Sequence, residues 1–381
     1  MITVAVPGRV WCGTALKRTG LRFFKRYIMY QSEVPTITAK VQLHVHLDGS
    51  PRLSSILPLA RKRGINLNVS TEEELKKAVV MTKPETLTTF LDRLTTYVLP
   101  VYKGCLDAVR QLAAEFAEDM AADNIIYTEA RFCPHLLVGG ARLTPDDIVE
   151  VVCDEFSKAE KMLNIRLRLI LCCMRSMPEI SIDMVRLCEK FRDRGVVGID
   201  LAGDENAVEH GHPTDPRHFK AFKLAKEKNI YRTVHAGENG SAAVVEEAVD
   251  KLFANRIGHG YRVLPDKELY DRLKAERMHF ECCPCSSVFT GACGPDFSKH
   301  PIKTFANDGV SFSLNTDDPV VTGTTLSDEF VVAETKVGIA RERLIQTILD
   351  GAENAFLLPH EKSELQKHLS AIYETGQHCH Q

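Results

Sequence analysis

The chain has 381 residues, 44% of them hydrophobic and 26% charged, with 48 Lys and Arg against 51 Asp and Glu and a net charge of -3. This near balance gives no electrostatic footprint for nucleic acid or an anionic membrane, and no apolar run approaches the roughly 18 residues of a membrane span. The 12 cysteines are scattered, and pairs such as Cys172-Cys173 and Cys282-Cys283 adjoin, which suits a reduced, cytosolic compartment better than a disulfide framework.

In chain order, the first segment is basic: Arg9, Lys17, Arg18, Arg22, Lys25 and Arg26 precede the first acidic residue, Glu33. Residues 1–35 read either as a mitochondrial-type targeting segment or as an extension ahead of an alternative start at Met29. Residues 36–365 read as one domain, and 366–381 as a helix end and tail in which His378-Cys379-His380 is a solvated terminus.

Within the domain, short apolar stretches alternate with amphipathic helical ones. Strands are expected at 41–45, 125–130, 168–172, 196–200, 231–235, 256–259, 279–283 and 310–314. The interval 53–123 is too long for one helix and must hold several. In it Leu87, Phe90, Leu91 and Leu94 recur at helical spacing, either as a core stripe or as an apolar lid. After 231–235, Asn239-Gly240 reads as a turn and Ser241 as a helix cap, with Val245, Ala248, Val249 and Leu252 on one face. Cys282, Cys283 and Cys285 read as small apolar residues of a buried strand rather than a metal site. Eight strand–helix units close most simply into a (β/α)8 TIM barrel with a helical insertion after the first strand. An open doubly wound sheet is the alternative, but the glycine-rich loop it would carry after its first strand is replaced by His-Val-His-Leu-Asp-Gly.

Barrel enzymes gather their chemistry at the C-terminal ends of the strands. The first expected strand ends in His44-Val45-His46, two histidines on one face. The fourth leads into Asp200-Leu201-Ala202-Gly203, the fifth into His235-Ala236-Gly237-Glu238, the sixth ends in His259, and the eighth leads into Asp317-Asp318. His210-Gly211-His212 has the same spacing as the first pair but lies in a Gly/Pro-rich loop, and reads as solvated. Three histidines and one aspartate match the donor preferences of Zn²⁺. The stretch 200–205 lacks the lysine with which binuclear barrel hydrolases bridge two metals, so one ion is expected. Glu238, close to a ligand without being one, suits general-acid work if burial keeps it protonated. His259 suits the orientation and deprotonation of a water. Of the adjacent Asp317 and Asp318, one faces the metal and the other a substrate ring.

The stretches KVQLHVHLDGS (40–50), EARFCPHLL (129–137), LCCMR (171–175), DLAGDE (200–205), TVHAGENGSA (233–242), RIGHGY (256–261), MHFECCPCSS (278–287) and SLNTDDP (313–319) resemble the motifs of the adenosine deaminase family, in that family's order. The resemblance implies a zinc-dependent hydrolase that deaminates adenosine and 2′-deoxyadenosine to inosine and 2′-deoxyinosine with release of ammonia, a step of purine salvage. It implies one Zn²⁺ per chain on His44, His46, His235 and Asp317. Glu238 would protonate purine N1, His259 would assist the attacking water, Asp318 would contact N7, and the Gly203 N–H would meet N3. Asp48 would hold the ribose 5′-hydroxyl with His46 nearby, and Leu87, Phe90, Leu91 and Leu94 would form an apolar gate. A carboxylate at Asp48 favours a free nucleoside over a nucleotide. An N6-substituted AMP or AMP deaminase is the alternative enzyme, and an inactive nucleoside-binding or interaction protein would show a broken ligand. The implied protein is a cytoplasmic monomer that binds a small nucleoside. Two departures from the vertebrate pattern are a short loop at 138–143 and 28 leading residues without counterpart.

Overall fold

The structure, a computed structural model, describes residues 37–140, 142–205 and 214–375. The basic leader 1–35, the His210-Gly211-His212 loop and the His378-Cys379-His380 tail lie outside the described residues. Eight strands run parallel in sequential order: β1 Lys40–His46, β2 Ile125–Phe132, β3 Arg166–Met174, β4 Val196–Ala202, β5 Tyr231–Ala236, β6 Arg256–His259, β7 His279–Cys282 and β8 Phe312–Leu314. The ring closes just beyond β8, where the His46 N–H donates to the Asp317 carbonyl (2.8 Å) and the Asp317 N–H to that of His44 (3.1 Å). The (β/α)8 barrel expected from the alternation is therefore the fold.

Strands covered on both faces read as nearly unbroken runs of buried residues, and β4, β6, β7 and β8 do so here. The outer helices show the other period. Leu106–Ala122 buries Ala108, Val109, Leu112, Ala113, Phe116, Ala117 and Met120 along one stripe. Pro145–Met162 starts from a capping box in which Thr144 and Asp147 exchange bonds, with Pro145 in the first turn. Phe116 and Phe156 stack between these two helices with centroids 5.7 Å apart.

Three local expectations need correction. β8 starts at Phe312 rather than 310, because the Val310 N–H still turns back to the Phe305 carbonyl (3.0 Å) at the end of the preceding helix. Ser241 does precede the helix Ala242–Asp250, but its side chain makes no cap bond, and the inward residues are Val244, Val245 and Ala248 while Val249 is half-buried. Cys283 and Cys285 leave the strand: β7 ends at Cys282, and Pro284–Phe289 is a short helix.

The insertion holds the helices Leu53–Lys62, Glu72–Val79, Leu87–Arg93, Leu99–Tyr102 and Leu106–Ala122, with a π-helical turn at Leu94–Val98. It is tied to the loops that follow β7 and β8 through Met81 N–H to the Val321 carbonyl (2.8 Å) and Glu85 N–H to the Phe289 carbonyl (2.9 Å). Those bonds sit just ahead of Leu87–Arg93, so they hold that helix over the C-terminal mouth of the barrel.

Candidate active site

β1 sends both His44 and His46 inward at the rim, as its two-residue period requires. His44 is wholly buried. Its Nδ1 donates to Glu281 Oε2 at 2.8 Å, which fixes the tautomer and leaves the Nε2 lone pair facing the centre. That Nε2 is buried without a hydrogen-bond partner. It lies 3.4 Å from Asp317 Oδ1, and His46 Nε2 lies 3.3 Å from the same oxygen. His46 Nε2 and His235 Nε2 are 3.2 Å apart. Burial, with Arg131 and His235 nearby, depresses His44 to about 4, and burial holds His46 well below the usual range, so the lone pairs converge unprotonated. Donors about 2.1 Å from a tetrahedral ion stand roughly 3.4 Å apart. The donor atoms of His44, His46, His235 and Asp317 all lie within 4.8 Å of one another, so these four residues would hold one cation, and a water on it would be a further ligand beyond them.

The cradle is held by charges inside the barrel. Glu281, on β7, accepts from His44, from Arg131 Nη2 (2.6 Å), from Arg256 Nε (2.7 Å) and from Thr233 Oγ1 (2.9 Å). Burial opposes ionisation of this carboxyl, but Arg131 and Arg256 hold its pKa well below the usual range. Arg131 also reaches Asp200 Oδ2 (3.1 Å), which lies 2.9 Å from His235 Nδ1. Arg131, Asp200 and Glu281 are fully buried, a triad that is costly to desolvate and retained only when each charge is matched. Ser286 donates to Asp317 Oδ2 (2.7 Å), which leaves Oδ1 for the histidines. The partners of ligating groups set their orientation and basicity. Glu281→Gln puts an amide N–H against arginine donors, and metal affinity is expected to fall about 10–100-fold in a chelator competition; an unchanged affinity excludes Glu281 as the anchor of His44.

His259 and Asp317 hold φ of 63° and 65°, left-handed values that cost a non-glycine residue about 1–3 kcal/mol each and that cluster at functional sites. His259 Nε2 stands 3.7 Å from Glu238 Oε2 and 4.0 Å from Asp317 Oδ2. Glu238 is 4% exposed, and its Oε1 has no hydrogen-bond partner. Burial raises its pKa above the ordinary glutamate value. Asp318 is driven well above the normal range by burial and by the neighbouring Asp317 and Asp48, and its Oδ1 is also unpartnered. A Cβ on Gly49 would fall 1.7 Å from that oxygen, so glycine is required there.

These groups open onto a cavity of about 350 Å³. Asp48, Gly203, Glu238, His259, Asp317 and Asp318 line its polar side, while Leu87, Phe90, Leu91, Leu94, Leu99 and Leu136 cover it. Gly203, at φ 102°, exposes its backbone to this space. Leu87 and Phe90 are buried and Leu91 and Leu94 half-buried, so the helical stripe both packs inward and roofs the mouth. Every residue that sequence reasoning placed at the site, except His44 behind it, lines the cavity.

The family described as adenosine deaminase matches residues 39–372. The chain is 44% identical to an adenosine deaminase of Danio rerio over 346 residues, covering 88% of this chain and 94% of that one. It is 44% identical to an adenosine deaminase of Bos taurus over 337 residues, covering 86% and 92%. An amidohydrolase of Burkholderia ambifaria, solved with bound zinc, superposes with a TM-score of 0.78 at 25% identity, covering 88% of this chain and 91% of that one. The chain belongs to the adenosine deaminase family.

Adenosine deaminases are metal-dependent, and the His/Asp cradle is where this member can hold its ion. The quoted motifs contain residues whose part sequence reasoning did not assign: Arg131, Asp200, Glu205, Arg256, Glu281 and Ser286. For Arg131, Asp200, Arg256 and Glu281 the signal was a charge inside an otherwise apolar strand, which one sequence does not distinguish from an outward-facing residue; Glu205 and Ser286 lie outside the strands and carried no such signal. A second group of possible ligands, His259, Cys283 and Asp317, shares Asp317 with the first. Burial raises the Cys283 thiol well above its ordinary value, so it stays protonated and behaves as a small apolar group.

Proposed function

We propose that this member of the adenosine deaminase family hydrolyses adenosine and 2′-deoxyadenosine to inosine and 2′-deoxyinosine with release of ammonia, with one zinc ion per chain. The observation that carries the reading is the juxtaposition of an intact His44–His46–His235–Asp317 cradle with a buried Glu238 whose carboxyl is held toward its protonated form, both facing one cavity. Zinc in this cradle supplies Lewis acidity that lowers the pKa of water toward 7.

The chain's own groups do the rest. Glu238 delivers its proton to purine N1 as C6 becomes tetrahedral. His259 orients the attacking water and takes its proton. Asp318 meets N7 and the Gly203 N–H meets N3, which fixes the ring plane, while Asp48 and His46 take the ribose. The apolar roof excludes bulk water and strengthens each polar contact. A single zinc is supported by the lack of lysine at 200–205 and by the sharing of Asp317 between the two ligand groups found among the described residues.

A free nucleoside is favoured over AMP. Burial pushes Asp48 up to about 7, so it carries only part of a charge at neutral pH and can both donate to and accept from a hydroxyl. Among the described residues, Arg175 is the one Arg or Lys that lines the cavity, and its Nη2 is committed to the His235 carbonyl at 2.7 Å. Adenosine consumption, followed by absorbance with AMP and adenine beside it, tests the reading. Rapid loss with adenosine alone is expected; preference for AMP overturns the assignment of Asp48, and inactivity of metal-loaded protein on all three overturns the substrate. We also infer a cytoplasmic monomer. Free thiols at every described cysteine support a reducing compartment, no described helix is long and apolar enough to cross a membrane, and size-exclusion chromatography tests the oligomeric state.

A further inference from the structure

A proton donor must be aimed, yet the Glu238 carboxyl has few grips of its own: Oε1 meets no partner and Oε2 stands 3.7 Å from His259. Its direction is therefore set by its backbone. That backbone belongs to the tight loop after β5, and the loop is wrapped around the side chain of Glu205, which comes from the neighbouring segment after β4. Glu205 is 1% exposed. Its Oε2 accepts from Gly237 N–H (3.0 Å) and Gly240 N–H (2.8 Å), and its Oε1 accepts from the N–H of Glu238 itself (3.2 Å).

The sequence around this contact is shaped to admit it. Gly237 holds φ 72°, and a Cβ there would lie 2.6 Å from Val245 Cγ2. A Cβ on Gly240 would lie 2.4 Å from Glu205 Oε2 and 2.9 Å from Val244 Cγ2. Two glycines thus let three consecutive-loop donors converge on one carboxyl, an arrangement otherwise seen where backbone N–H groups cradle a bound anion. Here the anion site is filled from within the chain. It needs no ligand, and what it fixes is the Glu238-Asn239 stretch between the glycines.

We infer that Glu205 is a positioning residue for Glu238: its carboxyl locks the 237–240 loop so that the Glu238 side chain points at the reacting ring. This rests on the reading of Glu238 as the proton donor. Glu205 is neither in the converging ligand group nor among the residues that line the cavity, and it reaches the site through the backbone of Glu238, so its loss should spare metal and ground-state binding and act on turnover. Glutamine at 205 is the sharpest change, because it keeps the shape and one acceptor while its amide N–H₂ must face a backbone N–H.

The test is a double-mutant cycle on the full chain loaded with zinc, with kcat, KM, bound metal and melting temperature read for Glu205→Gln, Glu238→Gln and the pair. Glu205→Gln is expected to lower kcat by about 100-fold, as for a misplaced catalytic group, with KM and bound metal near wild type. In the Glu238→Gln background it should cost nothing further, since two residues acting as a unit are not additive. Gly240→Ala, which pushes on the same contact from the loop side, should reproduce the kcat loss, and it decides the matter if Glu205→Gln does not fold. A near-normal kcat for Glu205→Gln beside a crippled Glu238→Gln overturns the proposal and leaves the reading of Glu238 intact. So does a full additional cost in the double variant, or a kcat loss that tracks metal loss. A Glu238→Gln enzyme with normal kcat overturns both.

Discussion

Glu238→Gln is expected to lower kcat by about 10²–10⁴-fold, the range for a general acid, while the purified variant keeps its full metal content. The two outcomes separate because Glu238 sits beside the cradle without belonging to it: its carboxyl is 3.7 Å from His259, and it is absent from the converging ligand group. Glutamine preserves volume in a site that is 4% exposed, so packing changes little. What is lost is the proton. Burial raises the Glu238 pKa and thereby holds a proton on the carboxyl at higher pH than an exposed glutamate would; the amide has none to give at any pH. Stopped-flow or steady-state absorbance on adenosine, with metal measured on the same sample, checks both halves. Activity within a few-fold of wild type would show that N1 receives its proton elsewhere.

Asp317→Ala is expected to weaken metal binding by more than about 100-fold, the upper end for changes one layer further out, and to abolish turnover with it. Asp317 Oδ1 faces both His44 and His46, at 3.4 and 3.3 Å. Removing it leaves three imidazoles and takes the carboxylate out of the converging ligand group. A ligand that binds only the native state adds about 2.7 kcal/mol at 100 times its Kd, so the rise in melting temperature on adding zinc to chelator-treated protein should vanish in the variant. Because Asp317 sits at φ 65°, where alanine is strained, Asp317→Asn belongs beside it: asparagine tolerates the left-handed backbone but carries no charge. A variant with full metal occupancy after dialysis would remove Asp317 from the ligand set.

Both predictions depend on a feature unusual for a barrel core. Such interiors are normally filled by layers of branched apolar side chains. Here Arg131, Asp200, Arg256 and Glu281 thread the middle with at most 1% exposure. A divalent ion held at the mouth, with one carboxylate in direct reach, would make such a network worth its desolvation, because the network fixes the tautomer of His44 and places a carboxylate against His235. Removing one member strands the others, which is the costly way to break a buried ion pair. Substitutions at Glu281 or Arg131 are therefore expected to lower both metal affinity and melting temperature, unlike Glu238→Gln.

The alternation of eight short strands with amphipathic helices was local information, since side-chain period follows from backbone geometry within a few residues, and it determined the barrel. The strand-end residues His44, His46, His235, Glu238, His259 and Asp317 were legible for the same reason: in this fold the C-terminal ends of strands share one rim. What only the tertiary structure decided was direction and partnership across distant segments. Glu281 meets His44 from 237 residues away, and Glu205 meets Gly237 from 32 away. In the chain each is one more acidic residue. Whether a carboxylate points to water or into the barrel depends on strand tilt and on which arginine stands opposite, and no local pattern encodes that. Likewise the Leu87–Leu94 stripe was visible as apolar, but its position over the mouth came from backbone bonds at Met81 and Glu85 to loops more than 200 residues on. The sequence by itself determined the fold and the donor set; long-range packing determined how each donor is aimed, because aim is fixed by neighbours that only folding brings near.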